Sequence, residues 1–260
     1  MTSLRTELRD RALRVVLDRA DALNGLTLEL LEELRQVCDR VEADTSIRAV
    51  TITGSGRAFC VGADLDLLRR AFDSDDRASL HGFVDAVNGT LLRLEALPVP
   101  VVAAVNGITR AGGFELLLAC DLAIASEDAR IGDVHSSFGM MPGGGSTHRL
   151  PRRVGPMRAT ELIMTSRWLD GREAAALGLV LEAVPADDLD AAVDRLLADL
   201  VDKPRGVLGA IKGAMDGTVG LHPVQASAVE RRAFLGYLDT VADAREGFVA
   251  YLEGREPDWR

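Results

Sequence analysis

The chain has 260 residues, of which 47% are hydrophobic and 27% charged, and a formal net charge of −10. That length accommodates one large domain or one domain with an appendage, and the composition is that of a globular protein. An acidic surface excludes nucleic acid and anionic membrane as main partners, and no apolar run is long enough to span a bilayer. The first eleven residues alternate charged and apolar side chains, so no secretory leader is expected. Cys38, Cys60 and Cys120 are widely spaced, and an odd number of cysteines fits a reducing compartment better than a disulfide framework. A cytoplasmic protein is expected.

Taken in order, residues 4–9 and 13–17 predict a strand hairpin around Asp10-Arg11, and 21–25 a turn. Thr27 is a natural N-cap for a helix to about residue 41, with Leu30, Leu31, Leu34 and Val37 on one face. A β-branched strand follows at 47–53, a glycine loop at 54–57, a short helix at 65–72 and a longer one at 77–97. The apolar run 98–105 reads as a buried strand, and residues 114–120 as the start of a buried helix. Short strands are expected at 122–125 and 130–132, then a mobile glycine loop at 142–145, helices at 146–150 and 157–165, and a capping box between Asp170 and Glu173. After a strand at 180–184 the pattern is helical only, at 189–201, 205–215, 224–238 and 242–252. The sequence contains no internal repeat. Alternating strands and helices followed by helices alone predict an α/β core over residues 1–195 and a helical region over 196–260 that packs on the body or on another subunit.

Two strand–glycine–helix corners stand out. One is Ala58-Phe59-Cys60-Val61-Gly62-Ala63-Asp64, where Gly62 permits an unusual backbone angle and Asp64 is an N-cap for the helix beyond. The other runs from Asn106-Gly107 to Ala111-Gly112-Gly113-Phe114-Glu115. Glycine in such corners often serves only tight packing. It also leaves main-chain N–H groups free at a helix N-terminus, where partial positive charge suits an anion. Two such donors brought together, Ala63 and Gly112, are what an oxyanion hole requires, and Glu115 is an acid one turn further on.

These segments resemble the enoyl-CoA hydratase/isomerase (crotonase) family. Residues 58–65 resemble its first oxyanion segment, and Asn106-Gly107 through Gly112-Gly113-Phe114-Glu115 to Ala119-Cys120-Asp121 the second. Residues 17–24 resemble its early CoA-contacting turn; Pro142-Gly143-Gly144-Gly145, Arg149-Leu150-Pro151 and residues 174–180 match later signatures, and Glu246-Gly247-Phe248 through Leu252-Glu253 its C-terminal helix. The ordered set covers essentially the whole chain. The resemblance implies a spiral of β-β-α turns, a C-terminal helical region that drives trimerisation, and trimers that stack in pairs as a hexamer. It implies an acyl-CoA thioester as substrate, with no further cofactor, whose carbonyl sits between the N–H groups of Ala63 and Gly112. The backbone of Ala22 and of Ala63, Asp64 and Leu65 would lie along the CoA.

Family hydratases hold a water between two glutamates. By this resemblance Glu115 takes the first position, while the second falls on His135. Placing Asp133 there instead conflicts with the spacing to Gly139 and Pro142-Gly143. Imidazole exchanges protons near neutral pH, so Glu115 and His135 together suit hydration of an enoyl-CoA. Isomerisation, decarboxylation, hydrolysis and acyl-CoA binding without turnover remain open beside it. Asp21 and Asp66 sit where many relatives carry phosphate-friendly residues, and Arg19, Arg57, Arg69 and Arg70 are candidates to compensate. His81, His148 and His222 lack ligand-spaced partners, so no metal is expected. Cys60 reads as a buried structural thiol, Trp168 and Tyr251 as core or interface aromatics, and Phe83, Phe114 and Phe138 as packing residues or pocket lining.

Overall fold

The computed structural model describes residues 2–74 and 76–259. A hairpin of β1 (Leu4–Arg9) and β2 (Ala12–Leu17) opens the chain, turning through Asp10 and Arg11 at positive φ. Helix α1 (Leu28–Ala43) starts where expected: Thr27 Oγ1 accepts the Leu30 N–H at 3.2 Å. Three windings of similar plan follow. The first is β3 (Ala49–Gly54), β4 (Ala58–Cys60) and α2 (Leu65–Asp73), extended by α3 (Arg77–Glu95). The second is β5 (Val101–Val105), β6 (Ile108–Arg110) and α4 (Gly112–Ala119). The third is β7 (Leu122–Ser126), β8 (Ile131–Gly132) and a 3-10 turn (His135–Phe138), extended by α5 (Ser146–Val154) and α6 (Pro156–Thr165). Then come α7 (Gly171–Ala176), β9 (Glu182–Val184) and four helices: α8 (Leu189–Val201), α9 (Arg205–Thr218), α10 (Pro223–Thr240) and α11 (Asp243–Glu253).

Each winding contributes its first strand to one sheet and its second to another. The larger sheet has the order β1-β2-β3-β5-β7-β9, parallel except for the β1–β2 hairpin, and the smaller is β4-β6-β8, all parallel. The repeat is therefore geometric and leaves no trace as a repeated sequence. Strand β6 lies inside the second glycine corner, where its three residues are too few to show an alternating pattern.

Alternation along the large sheet divides the core in two. Leu13, Val15, Val101, Ala103 and Val105 face the main core with α1, α3 and α4. Ala12, Ala49, Val102, Ala104 and Ile124 face the other way and are covered by Leu189, Val193 and Leu197 of α8. A parallel sheet buried on both faces needs this double cover.

The last helices are pinned to this body by half-buried cations. Lys212 Nζ donates to the carbonyls of Leu94 and Val99 and pairs with Asp121 at 2.7 Å. Arg205 donates to the carbonyls of Val41, Asp44 and Ile47, closing the end of α1. Yet α9 and α10 have no buried residue, and Ile211, Met215 and Phe234 are each more than half exposed. Tyr251, expected in a core or interface, is 82% exposed. Among the described residues no helix is long and apolar enough to cross a membrane.

Candidate active site

The loop 54–58 leading into the first corner is stapled by two asparagines. Asn24, fully buried, donates to Ser55 O and Ala58 O and accepts from Arg19 N; Asn106 donates to Gly56 O and accepts from Gly54 N. Beyond β4 the chain turns at Gly62 (φ +86°) and forms a parallel bridge between Ala63 and Leu26. In that bridge Leu26 N donates to Gly62 O at 2.7 Å and Asp64 N to Leu26 O at 2.9 Å. Because successive peptide groups point to opposite sides of an extended strand, the Ala63 N–H projects away from Leu26. Asp64 then caps α2, accepting from Asp66 N and Leu67 N. Arg19 holds the same carboxylate at 2.8 Å. Burial works against the charge on Asp64, but Arg19 and the capping amides outweigh it and hold its pKa below the usual value.

The second corner is built differently. Ala111 sits at φ 48°, ψ −124°, a region that favours glycine, and offers no side chain to cap α4. The first N–H groups of α4 are thus left to the positive end of the helix. The two corners touch through glycine. A methyl group on Gly62 would fall 2.7 Å from Gly112 N, and one on Gly112 would fall 3.2 Å from Gly62 Cα and 3.7 Å from Ala63 N. On Gly113 it would overlap the carbonyl of Cys60. The glycines let the corners approach each other, so the backbone at Ala63 and the backbone at Gly112 lie side by side.

Glu115 lies one turn into α4 and is 2% exposed. Its Oε1 accepts from Gly144 N at 2.7 Å and Ser146 N at 3.3 Å, while Oε2 takes no hydrogen bond from the described residues. Burial pushes its pKa up, and the charge of His135 with the two amide bonds offsets this only in part. The Gly143–Ser146 loop is therefore an anchored holder rather than a mobile segment. Arg149, 3% exposed, fixes it by donating to Gly144 O at 2.5 Å while paired with Glu95 at 2.6 Å. Sequence reasoning missed this support: Glu95 and Arg149 lie far apart in the chain and follow no common period.

His135 opens the 3-10 turn after β8, with Nδ1 2.9 Å from Asp133 Oδ1. Burial disfavours the imidazolium, but the hydrogen bond and charge of Asp133, joined by the charge of Glu115, outweigh it and hold the His135 pKa above the usual value. Glu115 and His135 are thus close enough for each to shift the other's titration.

The family model described as enoyl-CoA hydratase/isomerase matches residues 9–260. The chain belongs to the enoyl-CoA hydratase/isomerase family. It is 36% identical to the YngF protein of Bacillus subtilis over 242 residues, covering 93% of this chain and 91% of that one. It is 33% identical to the mitochondrial methylglutaconyl-CoA hydratase of Mus musculus over 254 residues, covering 94% and 78%. Among solved structures, the enoyl-CoA hydratase of Bacillus anthracis superposes with a TM-score of 0.92 at 32% identity, covering 99% and 98%. The spiral is accordingly the crotonase-type fold that the motifs implied.

Other family positions sort as follows. Ala22 O and Asp64 Cα both lie 3.3 Å from where a methyl on Gly25 would stand, so the early turn and the first corner adjoin. Ala22 and Leu65 are exposed beside them. Of the arginines expected to compensate for Asp21 and Asp66, Arg19 is already engaged by Asp64 and the Gly25 carbonyl, and Arg69 lies 3.7 Å from Asp66. Arg57 and Arg70 form no ion pair among the described residues. Cys60 is fully buried, and burial pushes its thiol up to about 12. Phe83 and Phe114 belong to the core, whereas Phe138 is 63% exposed beneath the Arg110 guanidinium.

Proposed function

We propose that this family member adds water across the 2,3 double bond of an enoyl-CoA thioester. The N–H groups of Ala63 and Gly112 would receive the thioester oxygen as negative charge develops on it. Glu115 Oε2 takes a proton from water as its oxygen joins C3. His135 orients that water or relays the proton that C2 requires. The CoA moiety would lie along Ala22, Ala63, Asp64 and Leu65. The observation that carries this reading is the buried Glu115 carboxylate, one turn beyond Gly112, with one oxygen held by two amides and the other unengaged by the described residues. A carboxylate with a raised pKa is suited to exchange protons at neutral pH.

The test is hydration of short and medium enoyl-CoA thioesters by the purified protein, read as loss of the conjugated absorbance. Glu115→Gln should lower kcat by about 10³-fold or more. An unchanged rate would remove Glu115 from the mechanism, and tight acyl-CoA binding without product would replace hydration by binding alone.

The same reading includes self-association as a homotrimer or a hexamer. What supports it is the apolar groove of about 550 Å³ between α9 and α10, lined by Ile211, Met215, Phe234 and Tyr237, on helices with no buried residue of their own. Light scattering from a size-exclusion column should give three or six chain masses; a monomer would overturn it.

A further inference from the structure

The hydration reading assigns nothing to Asp133, yet this carboxylate is 1% exposed beside the site. Its Oδ1 accepts from His135 N at 3.3 Å and lies 2.9 Å from His135 Nδ1, while Oδ2 has no hydrogen-bond partner among the described residues. Its carbonyl accepts from Ala111 N at 3.0 Å, joining the segment to the second corner. Between Asp133 and His135 stands Val134 at φ 52°, ψ 6°, a left-handed conformation that a β-branched residue rarely adopts. Such strain persists only where the surroundings over-determine it. Here it folds the Asp133 carboxylate back onto the imidazole two residues on.

A histidine nitrogen bonded to a carboxylate keeps its proton, which leaves the other nitrogen for chemistry. We propose that Asp133 is a positioning residue: it holds the Nδ1 proton of His135 and thereby commits Nε2 to the space shared with Glu115. Asp133 acts only through the ring and does not meet the substrate; Nε2 is where a proton arrives from water or leaves for C2. The charged groups around the ring are Asp133 from its own segment and Glu115 from α4, with Arg110 of β6 over the neighbouring Phe138 at 5.7 Å. Both carboxylates favour the imidazolium, in accord with the raised pKa of His135. The second catalytic position is then an Asp133–His135 unit, and histidine there works as a supported proton carrier.

The catalytic half of this inference rests on the hydration reading; the positional half does not. Imidazole ¹⁵N NMR of the full chain, with His135 assigned by loss of its signals in His135→Gln, reads the ring directly. In the parent protein the neutral ring should carry its proton on Nδ1. In Asp133→Asn the His135 titration midpoint should move to lower pH, and kcat for enoyl-CoA hydration should fall about 10²-fold or more with KM unchanged. An Nε2–H ring in the parent, or an unmoved midpoint in Asp133→Asn, would overturn the proposal. If Asp133→Asn does not fold, the tautomer of the parent decides alone. A protein that hydrates no enoyl-CoA but shows the Nδ1–H ring and the moved midpoint refutes hydration and leaves the positioning role standing. Full hydration by Asp133→Asn with an unmoved midpoint does the reverse.

Discussion

The corner at Gly62 and the corner at Gly112 join strand to helix in the same order, but they treat the helix terminus in opposite ways. The first fills the terminus of α2 with its own carboxylate, Asp64, braced by Arg19. It offers outward only the amide of Ala63, aimed by the bridge to Leu26. The second leaves the terminus of α4 without a side-chain cap and accepts a strained alanine to do so. An occupied terminus is a structural joint, whereas an open one keeps its partial positive charge for something else. Similar local chains therefore yield one aiming device and one electropositive end.

The largest perturbation of this pairing is Gly113→Ala, which thrusts a methyl into the Cys60 carbonyl and forces the corners apart. Hydration should fall about 10²–10³-fold, and Tm by about 2–10 °C. Asp64→Ala removes the occupied terminus without touching the open one. It should cost about 1–2 kcal/mol, seen as a lower Tm and a higher KM, with kcat within about twofold because the Leu26 bridge still aims Ala63. Ala111→Gly relaxes the strained residue and should raise Tm by about 2–4 °C, the relief outweighing the added freedom of the unfolded chain by about 1 kcal/mol; a lower Tm would mean that no strain is stored there.

The smallest effect concerns Glu115 and pH. Its pKa is raised by burial, so the native state holds this proton more tightly than the unfolded chain does. That advantage is complete below the unfolded-state value and is lost as pH rises through the folded-state value. Glutamine keeps the acceptor for Gly144 and Ser146 and never ionises. Glu115→Gln should therefore melt slightly above the parent at pH 8 and lose that margin by pH 4, as scanning calorimetry would record.

What the sequence made legible was local. Thr27, Asp64, and Asp170 with Glu173 announce helix starts because their partners lie two or three residues away. The glycines marked both corners, and Glu115 was visible one turn beyond. What it hid depends on distant or unusual backbone. The small sheet is built from strands of two or three residues drawn from three windings. The support of Glu115 runs from Glu95 through Arg149 to Gly144. The Asp133–His135 contact spans only two residues, but it requires a left-handed valine that no side-chain pattern advertises. Arg19 illustrates the converse: a cation plausible as a phosphate ligand is spent on its own chain.

The two parts of the candidate site also differ in how they are made. Main-chain atoms of Ala63 and Gly112 form one, and their arrangement is indifferent to most side-chain replacements. The other depends on side chains: the Glu115 carboxylate of α4 and a single imidazole on a four-residue 3-10 turn. A scaffold divided in this way could exchange that imidazole through one codon while the main-chain corners stay as they are. New chemistries would then arise by editing the turn, with the spiral left alone.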